Sequence, residues 1–418
     1  GIYMPTEGSV DFWDKIRAEE NEEELARQLR ELRRYVVSQI IVRDVNRISD
    51  LDEVTRTITL FADFAVNTAL DFAYAYYRDM YGTPIGRYTK SPQHLSVVAM
   101  GKAGGYELNV SSDIDLIFVY PESGDTDGRR ERGNQEFFTK VGQKLIALLD
   151  DITEDGQVFR IDMRLRPDGD GGALVCSEAA LEQYLVTQGR EWERFAWLKG
   201  RVIAHTGLAP FDSTRGDEQQ LMQQVVPFVF RPYLDFPAFT ALAKLHDLIR
   251  SEAGKTESRR ARSDNAGFDV KLGRGGIREI EFCAQMFQIV RGGQDPSLRE
   301  RSTPKALQRL ARRRLLDESD VEQLLSAWRL LRRTEHALQY QEDAQTHWLS
   351  DDATQHAAIA AMLGMSASEF DTRLNDARNH VARVFDELLA RLDVPPRVRV
   401  KDLSRGQGVK LRLVLALA

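Results

Sequence analysis

Asp113 and Asp115, one residue apart, stand at the head of an apolar run, Leu116-Ile117-Phe118-Val119-Tyr120. On a strand, side chains two apart share a face, so the two carboxylates project together. Held that close they repel, and a divalent cation relieves the repulsion. Upstream, Gly101, Gly104 and Gly105 break a short apolar strand, Leu95–Met100, and Ser111 and Ser112 precede the acids. Glycine lets backbone N–H groups approach a phosphate with no Cβ in the way. Gln157–Pro167 alternates Phe159, Ile161, Met163 and Leu165 with Arg160, Asp162, Arg164 and Arg166, which reads as a strand. If it shares a sheet with the first pair, Asp162 becomes a third metal-facing carboxylate. Arg164 and Arg166 then become candidates for gripping phosphate oxygens, which suit the guanidinium fork. Together these residues point to a metal-dependent site acting on a nucleotide or phosphate ester. The plainer alternative is a set of solvated acids and salt bridges beside a flexible turn.

A second glycine-rich stretch, Asp269–Glu281, runs into an apolar helix. Lys271 and Arg274 beside a helix N-terminus could hold an anion. It reads equally well as a tight turn, with Glu279 and Glu281 favourably placed in the first turns of the helix.

Other chemistries find no support. Cys176 and Cys283 stand alone, and the seven histidines form no HExxH or CxxC-type set, so neither a zinc site nor a disulfide framework is indicated. The net charge of −7 argues against a dedicated nucleic-acid binder. There is no Walker motif, and GKAGG has the wrong glycine spacing for a dinucleotide fingerprint. No signal peptide opens the chain, and the apolar 409–418 stretch is too short to span a bilayer. A cytoplasmic location with no membrane partner is therefore expected, and 409–418 reads as a vector-derived tail.

The elements that must position these residues are mostly helical. Asp11–Tyr81 has helical periodicity, Gly82–Pro92 is a linker and Pro121–Gly133 a surface loop. Glu136–Leu149 reads as a helix. So does Glu178–His205, with Trp192, Phe195, Ala196 and Leu198 as its core stripe and its charged residues exposed. After the proline-rich break at Pro227–Pro237, a helix is expected over Ala238–Ala253, followed by a polar, basic stretch at Glu257–Ala266. The segments 304–315, 319–341, 352–363 and 367–392 favour a bundle. The expected fold is α+β and predominantly helical, a small mixed sheet embedded among helices with a C-terminal helical bundle. The division expected is 1–90 helical, 91–210 catalytic core, 211–300 helical with the second glycine segment completing the site, 301–408 bundle, and the 409–418 tail.

The glycine/serine turn, the Asp-x-Asp and a third aspartate on a neighbouring strand resemble the nucleotidyltransferase superfamily of polymerase-β type. More narrowly, five motifs in order resemble the bifunctional glutamine synthetase adenylyltransferase/adenylyl-removing family. They are GKAGGYELNVSSDIDLIF, IDMRLRPDGDGGALV, WERFAWLKGR, DVKLGRGGIREIEF and LLRRTEHALQYQEDAQTH, covering about Met100 to His347. That bacterial family carries two nucleotidyltransferase halves, and only one copy of each motif occurs here. GGIREIEF and WERFAWLKGR are similar to the N-terminal, adenylyl-removing half. The resemblance implies that phosphate attacks AMP on a tyrosine of glutamine synthetase, giving ADP and the unmodified enzyme. It also implies two Mg²⁺ ions, or Mn²⁺, at Asp113, Asp115 and Asp162. Gly104, Gly105 and Ser112 would hold phosphate oxygens, Arg164 and Arg166 would position the incoming phosphate, and Lys271 and Arg274 would add anion contacts. The implied partners are adenylylated glutamine synthetase, the nitrogen-signalling PII protein in its uridylylated form, and the missing C-terminal half. Two alternatives stay open: the opposite half-reaction, adenylyl transfer from ATP, and a non-catalytic module that binds nitrogen-signalling proteins.

Overall fold

The computed structural model describes residues 10–206, 215–231, 251, 254–255, 266–341, 343 and 345–391. In chain order the elements are α1 (Val10–Arg17), α2 (Glu22–Val45), α3 (Leu51–Tyr81), β1 (Pro84–Gly86), β2 (Ser96–Ala99), α4 (Gly101–Gly104), β3 (Ile114–Tyr120), β4 (Gly124–Thr126) and α5 (Asn134–Asp150). Then follow β5 (Ile161–Asp162), β6 (Val175–Ser177), α6 (Glu178–Thr187), α7 (Glu191–Trp197), β7 (Arg201–His205) and α8 (Arg215–Val229). The remainder is β8 (Gly267–Asp269), α9 (Ile277–Arg291), α10 (Thr303–Arg312), α11 (Glu318–Tyr340), β9 (Trp348–Ser350), α12 (Ala353–Leu363) and α13 (Ala367–Arg391). The fold is α+β, a mixed sheet set among helices, as the sequence predicts. None of the described helices is long and apolar enough to cross a membrane.

The chain forms two compact units, one of residues 1–42, 52–190 and 199–228, the other of 43–51, 191–198 and 229–418. The first unit holds the five-stranded sheet, ordered β5-β3-β2-β7 with β6 also on β3. β2 pairs antiparallel with β3 and β7, whereas β5 and β6 run parallel to β3. Every β3 residue but Asp115 is buried, the pattern of a central strand covered on both faces. In α5, Gly142 lies against Phe118, and a Cβ there would come within 2.9 Å of the ring. The ring of Phe61 on α3 lies 5.3 Å from that of Phe159. Asn67 of α3 donates to the Ile203 carbonyl of β7 at 2.7 Å.

In the second unit α9 to α13 surround a core that includes Leu331, Phe370 and Phe385, with β8 and β9 paired antiparallel. Phe282 of α9 meets Phe385 of α13 edge to face and stacks on Phe195 of α7. The four late helices fall within a few residues of their expected spans: α10, α11 and α13 through their 3.6-residue apolar periodicity, α12 through its ends, capped by Asp352 and closed by left-handed Gly364.

Several local expectations are overturned. The glycine turn after β2 closes as one turn of helix, α4. Gln157–Pro167 is not one strand: only Ile161–Asp162 pairs, and the chain then turns. There the Arg166 amide donates to the Met163 carbonyl at 3.2 Å, Pro167 follows, and Asp168 takes a left-handed φ of 61°. Phe159, Met163 and Leu165 are nonetheless buried, so the apolar alternation marks burial without a ladder. Glu178–His205 is not one helix but α6, α7 and then β7. Gly189 and Gly200 fall at the breaks, and Val202-Ile203 are β-branched strand formers. The linker and the surface loop each contribute a short strand, β1 and β4, which pair. The expected helix over 238–253 lies outside the described residues except Ser251, and so does the basic stretch at 257–266 except Ala266.

Candidate active site

The acids come together through strand register. β3 and β5 run parallel with Asp115 opposite Asp162, so their side chains leave the same face of the sheet. Asp113 lies just before β3, where the Ile114 amide bonds the Arg160 carbonyl at 2.9 Å. On the other side the Met100 amide, at the end of β2, bonds the Asp115 carbonyl at 2.9 Å. Asp115 therefore sits at the meeting point of three strands. Gly101, at φ 53°, makes room beside it: a Cβ there would lie 3.1 Å from the Asp115 Oδ2. The side chains of Asp113 and Asp162 are 25% and 13% exposed, close to the surface yet partly sheltered.

Each flanking acid is held by an arginine. Arg160 donates from Nε to Asp113 at 2.6 Å and from Nη2 to the Ser111 carbonyl. Arg164 grips Asp162 through Nε at 2.8 Å and through Nη2, and the Asp162 Oδ1 also accepts the Arg164 amide at 2.8 Å. The Asp162 carboxylate holds the Arg164 pKa above its ordinary value, with Asp115 and Asp170 adding to the field. Among the described residues no three His, Cys, Asp or Glu groups converge as a metal cluster. The donor chemistry still fits a hard divalent cation: three carboxylates at one edge, two of them in register.

The loop that carries this edge rests on buried ion pairs. Arg201 of β7 makes a two-pronged bond to Asp63 of α3 at 2.8 and 2.9 Å, and donates to the Ala103 carbonyl at 3.1 Å. Its guanidinium stands 4.0 Å from the Tyr106 ring centre. Lys199 pairs with Glu107 at 2.7 Å, both buried. The Lys199 carbonyl lies 1.8 Å from where a Gly104 Cβ would be, which explains the glycine by close backbone approach. Thus WERFAWLKGR does not expose its late charges; Lys199 and Arg201 brace 101–112 from beneath. The turn of α5 into β5 is fixed likewise. Buried Arg30 donates to the carbonyls of Gly156, Leu148 and Asp151.

The remaining expected site residues are placed as follows. The Gly104 and Gly105 amides donate inside the turn, to the Met100 and Gly101 carbonyls, both at 3.2 Å. The Ser112 hydroxyl is buried and accepts the Asn109 amide at 3.1 Å. Arg166 folds back on its own turn, bonding the Met163 carbonyl at 2.7 Å, rather than standing on a strand face with Asp162. Lys271 and Arg274 belong to the second unit. There Lys271 is buried in the field of Glu335, Glu281 and Asp269, and burial pushes its pKa down. Arg274 is exposed and pairs with Asp386 at 2.7 Å.

One site residue, Asp150, escapes a reading of motifs, and Gly101, named there only as part of the glycine turn, takes a left-handed φ beside Asp115. Asp150 closes α5 and accepts the Ile161 amide at 3.2 Å, anchoring the strand that carries Asp162. Burial pushes its pKa up, with Asp151 and Asp113 contributing. Only its place at a helix end, between two of the motifs, could have hinted at it.

Residues 6–211 match the family described as glutamate-ammonia ligase adenylyltransferase, and residues 243–389 match that described as GlnD PII-uridylyltransferase. The chain is 65% identical, over 94% of its length and 42% of the relative's, to the bifunctional glutamine synthetase adenylyltransferase/adenylyl-removing enzyme of Neisseria meningitidis serogroup A. It is 50% identical to the protein of that name from Chromobacterium violaceum, over 88% of its own length and 39% of the relative's. The chain thus spans about two fifths of the curated relatives it matches. Its sequence follows these relatives over 94% and 88% of its length. The chain belongs to the bifunctional glutamine synthetase adenylyltransferase/adenylyl-removing family.

Proposed function

We propose that this chain removes AMP from an adenylylated tyrosine of glutamine synthetase by phosphorolysis. The observation that carries the reading is the register pair Asp115–Asp162 with Asp113 beside it, on the family's nucleotidyltransferase-type segment. The direction of reaction rests on GGIREIEF and WERFAWLKGR, whose form is that of the adenylyl-removing half. An oxygen of inorganic phosphate attacks the AMP phosphorus, the bond to the tyrosyl oxygen breaks, and the attacking phosphate becomes the β-phosphate of ADP. The tyrosyl oxygen, with an ordinary pKa near ~10, leaves more readily than an aliphatic alkoxide.

Asp113, Asp115 and Asp162 are the residues that would hold divalent metal, Mg²⁺ or Mn²⁺. When bound, such metal neutralises charge on the phosphoryl oxygens and on the departing tyrosyl oxygen. Arg160 and Arg164 hold the carboxylates of Asp113 and Asp162 in orientation. Their partly exposed guanidinium groups, bonded to two of the acids, are also suited to an incoming phosphate, whose charge otherwise opposes attack. Arg201 and Lys199 fix the loop so that the acids keep their geometry.

Transfer in the other direction, from ATP to glutamine synthetase, would use the same acids, and the description of the matching family favours it. The test is incubation of the purified chain with adenylylated glutamine synthetase, Mg²⁺ and phosphate. Phosphate-dependent release of ADP supports removal. ATP-dependent labelling of unmodified synthetase, with no ADP release, would replace it with transfer.

A further inference from the structure

Three arginines lie on the segment that carries Asp162, and their side chains are tied down differently. Arg160 bonds Asp113 and also the Ser111 carbonyl. Arg166 bonds carbonyls of its own turn, those of Met163, Gly172 and Asp170. Every hydrogen bond of the Arg164 side chain, by contrast, goes to Asp162, and that side chain is 37% exposed. Nothing else among the described residues would have to break for it to swing away.

The pairing uses up the Asp162 carboxylate. Such a group offers about four lone-pair sites. Oδ1 accepts the Arg164 amide at 2.8 Å and its Nε at 3.0 Å, while Oδ2 accepts Nε at 2.8 Å and Nη2. The amide is fixed by the backbone, so a cation reaches Asp162 only by taking the place of the guanidinium. Asp162 stands in register with Asp115, so the carboxylate that Arg164 covers belongs to the pair that best faces a cation.

We propose that Arg164 is a latch with two positions: it neutralises Asp162 until a divalent cation takes that carboxylate, and once displaced it grips the incoming phosphate. The proposal rests on the roles given above to the three acids and to phosphate. The freed guanidinium fork suits a tetrahedral oxyanion. Because the cation releases the donor that phosphate needs, each raises the other's affinity by the same factor.

Two measurements on the full 418-residue chain test the latch. In the first, Mn²⁺ affinity is read by electron paramagnetic resonance in phosphate-free buffer. Asp162→Asn binds Mn²⁺ about tenfold more weakly than wild type or worse. Arg164→Ala, which keeps the backbone amide on Asp162 and whose fold is checked by circular dichroism, binds it about threefold more tightly or better. Loss of any nearby positive charge would favour the cation, so the second measurement follows the arginine itself. Wild-type protein is treated briefly with phenylglyoxal and modification is mapped by mass spectrometry. Mg²⁺ raises modification of Arg164 several-fold, and phosphate added with Mg²⁺ lowers it again. Exposed Arg274, in the second unit, reacts alike throughout. No Mn²⁺ binding by wild type, or equal binding by Asp162→Asn, would overturn the cation-binding role of the acids and the latch with it. Three other results would overturn the latch and leave that role standing: Mn²⁺ binding unchanged or weakened in Arg164→Ala, Arg164 modification indifferent to Mg²⁺, or modification that Mg²⁺ raises and phosphate fails to lower.

Discussion

Two glycine-rich segments, each following a strand and carrying basic residues, end up with opposite characters. In the first, α4 closes on itself and Gly104 packs against the Lys199 carbonyl, yet the neighbouring edge leaves Asp113, Asp115 and Asp162 within reach of solvent. In the second, between β8 and α9, most groups turn inward and Arg274 alone is exposed. The Gly275 amide bonds Glu279 at 3.0 Å, and the Ile277 and Arg278 amides bond the carbonyls of Val270 and Lys271. The Asp269 carboxylate accepts the amides of Lys271 and Leu272 and meets His347 at 2.8 Å. The Asp269–Glu281 stretch folds as a tight turn running into α9. Glycine content with basic neighbours thus does not distinguish a site from a scaffold. Like charges gathered at an open edge mark the one, and opposite charges neutralised in the interior mark the other.

The contrast is sharpest under substitution. Asp115→Asn and Asp162→Asn should each lower AMP removal by about a thousandfold, the scale of losing a charge-stabilising group, while the thermal midpoint stays near wild type. Asp269→Ala should do the reverse. The chain loses about 1–3 kcal/mol as two buried amides lose their acceptor, and the folded fraction keeps its turnover; chemical denaturation beside an activity assay separates the two. A comparable loss of turnover per folded molecule in Asp269→Ala would break the comparison.

Arg201→Met leaves Asp63 buried without its cation and should cost about 3–5 kcal/mol, visible in urea unfolding. Gly104→Ala drives a Cβ into the Lys199 carbonyl and should cost about 1–3 kcal/mol. Because α4 adjoins Asp115, its kcat should fall as well. A variant that loses stability but retains full kcat would show that the loop does not position the acids.

The smallest effect concerns Lys271. Burial holds its folded pKa below that of the unfolded chain, so between the two values the unfolded state binds the extra proton. Stability should therefore rise with pH towards the ordinary lysine range near 10.5. Denaturation midpoints measured from pH 7 to 10 should show this rise in the wild type and a flatter profile in Lys271→Met.

What could be read from the sequence follows from the range of each interaction. The late helices declare themselves through local periodicity, and Asp113-x-Asp115 through strand alternation. β7 was hidden because five residues after Gly200 look like the tail of a helix; its pairing with β2 is set by residues about a hundred positions earlier. The same limit hid the role of WERFAWLKGR. Whether Lys199 and Arg201 are solvated or buried depends on Glu107 and Asp63, which no local pattern names. Asp162 was legible as an acid facing its strand, but its register with Asp115 and its arginine partner are matters of three-dimensional pairing. The two compact units each gather three stretches of chain and divide within α2 and at the start of α3, continuous helices that give no sequence signal of a boundary.

The most direct test of the central claim follows labelled inorganic phosphate in a reaction with adenylylated glutamine synthetase and Mg²⁺, comparing wild type with Asp115→Asn. The account predicts label in the β-phosphate of ADP, one per tyrosine unmodified, and none with the variant. Release of unlabelled AMP, or label transfer undiminished in Asp115→Asn, would contradict phosphorolysis at these carboxylates.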